Sequence, residues 1–326
     1  MTLPNFLIIG AAKSGTTSLH QHLGQHPQIY MSPLKETNFF AFDGDRPNFG
    51  GPDADVFNRD CVYRMEDYVR LFEGRTDEIA AGESSPRYLG AEGAASRIKR
   101  CIPDAKLIAI LRNPADRAFS AFSMRKRDGW EPCATLDEAI ADEPRRIKER
   151  WGSGIYLRHG FYAKLLQPYF EHFGRDQIRV YLYDDLVAAP DLLLENLFGF
   201  LGVDRRFRPI TARKLNVSGV IKNPVMRMIW TRTHPLQKTI RPLLPKSARE
   251  AVSRFFTGLE KVRVPFPPEQ RERLVDRYRE DIRQLQGLIG RDLSAWLTSC
   301  SAAPGHVPAD ARQAGPLSAS RDLAGW

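Results

Sequence analysis

Three features of this 326-residue sequence predict an α/β fold with a mostly parallel sheet and helices on both faces. Short apolar runs alternate with segments of helical character, the order that builds βαβ units. Runs such as KLIAIL are apolar throughout rather than at every second residue, so both faces of the sheet are covered. The first run ends in a glycine-rich turn that opens a helix, the arrangement of a phosphate-binding loop.

Taken in order, Asn5–Gly10 reads as a strand and Thr17–Gly24 as the helix after it, with Ile29–Met31 a short strand. Met65–Glu73 reads as helix, Ile79–Gly82 as a short buried strand, Ala91–Cys101 as helix and Lys106–Leu111 as a fully buried strand. Pro114–Lys126 is a helix with Asn113 as its N-cap and proline at its first position. Ile178–Leu182 is a further strand and Pro190–Leu201 a further helix, which gives a sheet of about four or five strands. Residues 223–263 turn helical, basic and proline-punctuated, and Pro268–Leu288 is a polar-rich helix. Residues 1–300 are expected to form one domain, with a core over 5–222 and a helical extension over 223–300. The Ala-, Gly-, Pro- and Ser-rich residues 301–326 are expected to be a disordered tail.

Hydrophobic residues make up 42% and charged residues 27%, an ordinary composition with enough apolar material for a sizeable core. The absence of an 18-residue apolar run predicts no membrane span, and the N-terminal apolar run lacks the basic leader of a signal peptide. Four scattered cysteines without a C-x-x-C pair fit a reducing, cytoplasmic compartment. The net charge of +9 points to anionic partners. Nucleic acid is not expected among them, since no recognition module is present.

The stretch FLIIGAAKSGTTSL, Phe6 to Leu19, nearly matches the ATP/GTP loop G-x-x-x-x-G-K-[ST]. Gly10, Gly15 and Thr17 hold their places, but Thr16 stands where the lysine belongs and the loop's lysine is Lys13. Backbone amides of Ser14, Gly15, Thr16 and Thr17 can cradle a phosphate, with the two threonine hydroxyls on its oxygens and Lys13 above it. The alternative is a plain glycine turn before a helix. A second stretch, IAILRNPADRAFSAF, puts Arg112 at the end of a buried strand and Ser120 about two turns into the next helix. Arg112 there can fork onto a phosphate, or pair with Asp116 or Glu83.

Together KSGTTSL and LRNPADRAFSAF resemble the sulfotransferases that use 3′-phosphoadenosine 5′-phosphosulfate (PAPS). The similarity is greatest to the branch of heparan-sulfate sulfotransferases and bacterial relatives, and it spans roughly residues 5–225. The resemblance implies that the loop is the 5′-phosphosulfate site and that Arg112 with Ser120 is the 3′-phosphate site. It implies PAPS as donor, no metal, and a hydroxyl or amine of a carbohydrate or glycolipid as acceptor. Lys13 would then stabilise charge on the bridging oxygen as sulfur leaves. In SPLKETNFF, Glu36 lies beside Phe39 and Phe40, an apolar setting that would raise its pKa and suit it to proton abstraction. The resemblance makes Glu36 the catalytic base; the other reading is a solvated neighbour of Lys35. In GESSPRYL, Ser84 occupies the place of a lysine that relatives use at the acceptor, so Arg87 or Lys35 is expected to supply that charge. RKLNVSGV resembles a loop that closes over the donor, which nominates Asn216, Ser218 and Gly219, and YLRHGFY nominates Arg158 for acceptor or nucleotide.

Other readings compete. A P-loop kinase or NTPase would need the lysine that Thr16 replaces and an Asp where KLIAIL gives way to Arg112. VYLYDD reads as a strand end entering a helix. His22 and His26 are four apart but lack a third metal ligand. Residues 222–263 carry ten Lys/Arg against two Glu with interleaved aromatics. That region could contact an anionic membrane peripherally or grip an acidic acceptor, and a non-catalytic membrane-binding protein would need only this part.

Overall fold

The computed structural model describes residues 3–210, 220–221, 261–262 and 265–298. Five parallel strands form one sheet: β1 (Phe6–Gly10), β2 (Ile29–Met31), β3 (Ala80–Ser84), β4 (Lys106–Leu111) and β5 (Ile178–Leu182), in the spatial order β2-β3-β1-β4-β5. Every strand read from the sequence is present, within two residues at each end. All pairings in this sheet are parallel. The antiparallel pair of Val220–Ile221 with Lys261–Val262 stands apart from it.

Alternation along the central strands explains why they read as unbroken apolar runs. Leu7 and Ile9 of β1, with Leu107, Ala109 and Leu111 of β4, join one hydrophobic cluster, while Phe6, Ile8, Ile108 and Ile110 join the other. The second face is covered by α1 (Thr16–Leu23) and α10 (Pro190–Leu201), through Leu19, Leu23, Leu194, Leu197 and Phe198. The first face receives α4 (Ala94–Cys101), α5 (Pro114–Asp128), α8 (Tyr162–His172) and α11 (Pro268–Ile289). Shorter α-helices among the described residues are α2 (Ala54–Asp60), α3 (Met65–Arg70), α6 (Leu136–Ala141), α7 (Glu143–Lys148) and α9 (Tyr183–Ala188).

The last described helix is part of the main core. Leu274, Tyr278, Ile282 and Leu285 of α11 are buried in the first cluster. Asp281 of the same helix accepts hydrogen bonds from the backbone N–H groups of Ala163 (3.1 Å) and Lys164 (3.3 Å). A carboxylate from α11 therefore caps the N-terminus of α8, where it satisfies free amides and meets the positive end of the helix dipole. Asn113 caps α5 as its sequence predicts, accepting from Ala115 N at 3.0 Å and Asp116 N at 3.4 Å.

From β1 the chain runs to one side of the sheet and from β4 to the other. The carboxyl ends of these two neighbours mark the switch point, where open α/β sheets bind ligands.

Candidate active site

A cavity of about 420 Å³ lies at that switch point. Lys13, Gly15, Thr16, Thr17, Glu36, Arg87, Arg112 and Ser120 all border it. Sequence segments far apart in the chain, from Lys13 to Ser120, thus converge on one cleft.

The loop from β1 into α1 makes the cleft floor. Gly15 has φ +97°, the left-handed region that glycine enters without strain. A Cβ there would also stand 3.0 Å from Leu186 Cδ2. Ser14 is fully buried and its Oγ has no partner among the described residues. Lys13 is half-buried and also left-handed, at φ +70°. Its Nζ donates to Met124 Sδ at 3.3 Å, and among the described residues it has no carboxylate at ion-pair distance. Burial, reinforced by Arg127 and Arg112, lowers its pKa to about 8. A desolvated ammonium without a counter-ion is poised to gain from an incoming anion.

Arg112 leaves the end of β4 and lies over the ring of Tyr183, 5.1 Å from its centroid. Neither carboxylate considered for it is its partner: Asp116 pairs with Arg271 at 3.0 Å, and Glu83 is surrounded by hydroxyls. Ser120, one face of α5 along, is 8% exposed at the cleft wall. Arg117 on the same helix is nearly fully buried and borders the cavity; its guanidinium donates to the Tyr156 carbonyl, while Nε is unpartnered.

Glu36 borders the cavity, but its expected apolar surroundings are not found. Its side chain is 50% exposed and paired with Lys35 Nζ at 2.6 Å. Phe39 instead stacks on Tyr68 with centroids 4.2 Å apart, and Phe40 is buried in the core. Lys35 is not on the cavity wall, and it reaches the site only through this ion pair. The buried carboxyl of the region is Glu83, which burial pushes up to about 7 against the hydrogen bonds of Tyr88 and Ser85.

Arg87 is held between Phe49 and Phe57, its guanidinium carbon 4.7 Å from each ring centroid, with Nη2 on the Gly152 carbonyl at 2.6 Å. Such a cation sandwiched by aromatics keeps a fixed geometry. Ser84 is fully buried with an unpartnered Oγ and does not border the cavity. Arg158 is exposed and off the cavity wall; its neighbour His159 borders the cleft, where burial and then Arg117, Arg87 and Arg158 lower its pKa to about 3 and keep it neutral. Asn216, Ser218 and Gly219 lie outside the described residues.

Several cleft residues carry no motif in the sequence. Asp53 and Arg125 form a buried ion pair at 2.5 Å, which Ser153 joins through its hydroxyl. Trp130, Tyr156 and Gly152–Gly154 complete that wall. Asp53 comes from the segment after β2, Arg125 from the last turn of α5, and the others from the segment that follows α5. Arg125 lies on the helix that carries Arg112's neighbour Ser120, so its helical register with Arg117 and Ser120 was a usable signal. No pattern in sequence links it to Asp53.

Residues 4–207 match the family profile described as Sulfotransferase family. A bacterial sulfotransferase structure from Alicyclobacillus acidocaldarius is 32% identical with a TM-score of 0.73, covering 91% of this chain and 100% of that one. The human bifunctional heparan sulfate N-deacetylase/N-sulfotransferase 3 is 29% identical over 208 residues, 62% of this chain and 22% of that protein. The mouse bifunctional heparan sulfate N-deacetylase/N-sulfotransferase 1 is 31% identical over 208 residues, 61% of this chain and 22% of its own length. The match therefore spans about a fifth of these two bifunctional relatives.

Proposed function

Because this chain belongs to the sulfotransferase family, we propose that it moves a sulfuryl group from PAPS to a hydroxyl or amine of a carbohydrate acceptor. The observation that carries this reading is the convergence of Lys13, the Gly15–Thr17 loop, Arg112, Ser120 and Glu36 on one cleft. The loop amides and the start of α1 receive the 5′-phosphosulfate, and Arg112 with Ser120 receives the 3′-phosphate. The buried Arg117 Nε, unpartnered on the cleft wall, fits a bound anion better than an apolar ligand.

In the transfer, the acceptor atom attacks sulfur in line while the bond from sulfur to the 5′-phosphate oxygen breaks. Glu36 takes the acceptor's proton and Lys13 offsets the charge appearing on the departing phosphate. The acceptor approaches along the wall of Asp53, Phe57, Arg87 and Ser153. Support for a carbohydrate comes from the heparan sulfate activity in the names of the curated relatives.

Thermal unfolding with nucleotides tests this directly. Adenosine 3′,5′-bisphosphate without metal should raise the melting temperature strongly. At a hundred times its Kd the stabilisation is about 2.7 kcal/mol. AMP and ATP with magnesium should do far less. Equal shifts from bisphosphate and AMP would remove the 3′-phosphate site from Arg112 and Ser120.

A further inference from the structure

We propose that Glu83, which does not border the cleft, is a positioning residue that fixes the backbone carrying Glu36 by dictating which way two hydroxyl protons point. The inference rests on Glu36 acting as the base. It concerns a fully buried carboxylate at the end of β3 whose neighbours are hydroxyls rather than cations. Tyr88 Oη donates to its Oε1 at 2.6 Å, Ser85 Oγ donates to its Oε2 at 2.7 Å, and Tyr68 Oη approaches Oε1 at 3.5 Å.

Each hydroxyl has one proton. An ionised carboxylate can only accept, so Tyr88 and Ser85 must aim their protons at it. Their lone pairs are then left for the loop. Ser85 Oγ accepts from Asn38 N at 3.0 Å, and Tyr88 Oη accepts from Phe40 N at 3.4 Å and lies 3.2 Å from Thr37 Oγ1. Glu36 N itself bonds to the Ser84 carbonyl at 2.9 Å. The segment held in this way needs holding. Glu36 has φ +62° and Asn38 φ +56°, left-handed conformations that a non-glycine residue keeps only when its surroundings hold it there. Glu83 thus acts two hydrogen bonds away from the backbone it orders, and the side chain of Glu36 is presented to the cleft as a result.

With the hydroxyl protons fixed in this direction, even an isosteric change at Glu83 is harmful. In Glu83→Gln the amide NH₂ faces one of the two hydroxyls as a donor. That hydroxyl must turn its own proton towards a loop N–H, so two donors oppose each other. Amide hydrogen exchange on the nucleotide-free protein at pH 8 reads this directly. The loop amide on the side that the NH₂ takes, Asn38 through Ser85 or Phe40 through Tyr88, should exchange about tenfold faster in Glu83→Gln, as for one hydrogen bond lost, while amides of β1 and α1 keep their wild-type protection. With water as the probe acceptor, the release of sulfate from PAPS should fall by up to about 10²-fold per bisphosphate-binding site, the scale for a small misplacement of a reacting group. In that reaction water oxygen bonds to sulfur, the sulfur–phosphate oxygen bond breaks, and Glu36 takes the proton. Bisphosphate affinity should stay at the wild-type value.

Tyr68→Phe is the control, since it removes the 3.5 Å donor, keeps the stack on Phe39 and touches no loop N–H. It should leave both readouts near wild type. If Glu83→Gln does not fold, Ser85→Ala removes the acceptor of Asn38 N–H with Glu83 in place and should reproduce both effects. Unchanged exchange at Asn38 and Phe40 in the first variant, or in Ser85→Ala, overturns the proposal. So do equal losses in Tyr68→Phe, which would mean only a disturbed core. The exchange measurement needs no substrate, so a failure of the sulfotransferase reading would show in bisphosphate binding and leave this test intact.

Discussion

Lys13 and Glu36 divide the work at the residue scale. In the proposed reaction Lys13 meets the donor before and during transfer, whereas Glu36 meets only the acceptor. Lys13→Ala should weaken bisphosphate binding and lower turnover by roughly 10²–10³-fold, the loss seen when an oxyanion donor is removed. Glu36→Gln keeps the shape but not the base. Titration should show near wild-type bisphosphate affinity, with turnover down by about 10²–10⁴-fold. Lys13 also sets a pH dependence. Its folded pKa of about 8 lies below the ordinary lysine value of 10.5, so the free protein sheds this proton more readily than the unfolded chain does. The group therefore weakens the fold below pH 8, and that penalty fades as pH rises from about 8 towards 10.5. A bound phosphate reverses the shift and calls the proton back. Bisphosphate affinity should then fall by about tenfold per pH unit above pH 8, with uptake of one proton in calorimetry across two buffers. Lys13→Arg, which stays charged, should bind with a flat profile over the same range. A flat wild-type profile would show that Lys13 does not face the anion.

At the scale of elements, the segment from α6 to α8 forms the outer cleft wall and is held by buried charge. Arg146 donates to both oxygens of Glu131 at 2.8 Å and to Asp142 at 2.9 Å, with the Arg146 and Glu131 side chains fully buried. Glu143 accepts from three successive amides, Tyr156, Leu157 and Arg158, at 2.7–2.8 Å. Arg146→Met should cost about 3–5 kcal/mol in denaturant unfolding, because Glu131 is left charged and buried without its partner. Arg146→Met with Glu131→Leu should recover part of that loss; a double variant no better than the single one would mean that packing over Trp151, not the charge, holds the wall. Little of this wall was legible beforehand. The strands were, because a strand buried on both faces has no polar positions to obscure it. So were α5 and α10, each opened by a proline at its first turn. The short α6 did carry a signal: Thr135 accepts from Glu138 N at 3.2 Å and Glu138 answers on Ala134 N at 2.9 Å, a cap of the S/T-x-x-E kind. α8 hid behind Pro168, which sits inside the helix and normally marks an end. Glu36 was placed at the cleft by motif, yet its surroundings were misjudged, since adjacency to Phe39 and Phe40 in sequence says nothing about which way their rings pack.

On the scale of the whole molecule, the formal charge of +9 has to be divided between the cleft and the rest. Lys13, Arg87, Arg112, Arg117 and Arg125 border the cavity against Glu36, Asp53 and Asp128. The cleft thus holds a small excess, enough for a bisphosphate but not for the whole surplus. The ten Lys/Arg against two Glu of residues 222–263, a surplus of eight, hold most of it. No helix among the described residues is long and apolar enough to cross a membrane. We propose that the basic stretch contacts an anionic surface peripherally, which would bring a lipid-linked acceptor to the cleft. Each basic residue near such a surface contributes about 1 kcal/mol at low salt and loses most of it within a Debye length, about 8 Å at physiological ionic strength. The full chain should therefore sediment with vesicles containing phosphatidylserine and not with neutral ones, and 0.5 M salt should release it. Charge reversal of Arg227, Arg232, Lys238 and Arg241 to Glu should abolish sedimentation. Binding to neutral vesicles that survives both salt and charge reversal would put an apolar contact in place of the electrostatic one. No binding at low salt would leave the basic stretch as a solvated surface, with its charge free to attract an acidic acceptor instead.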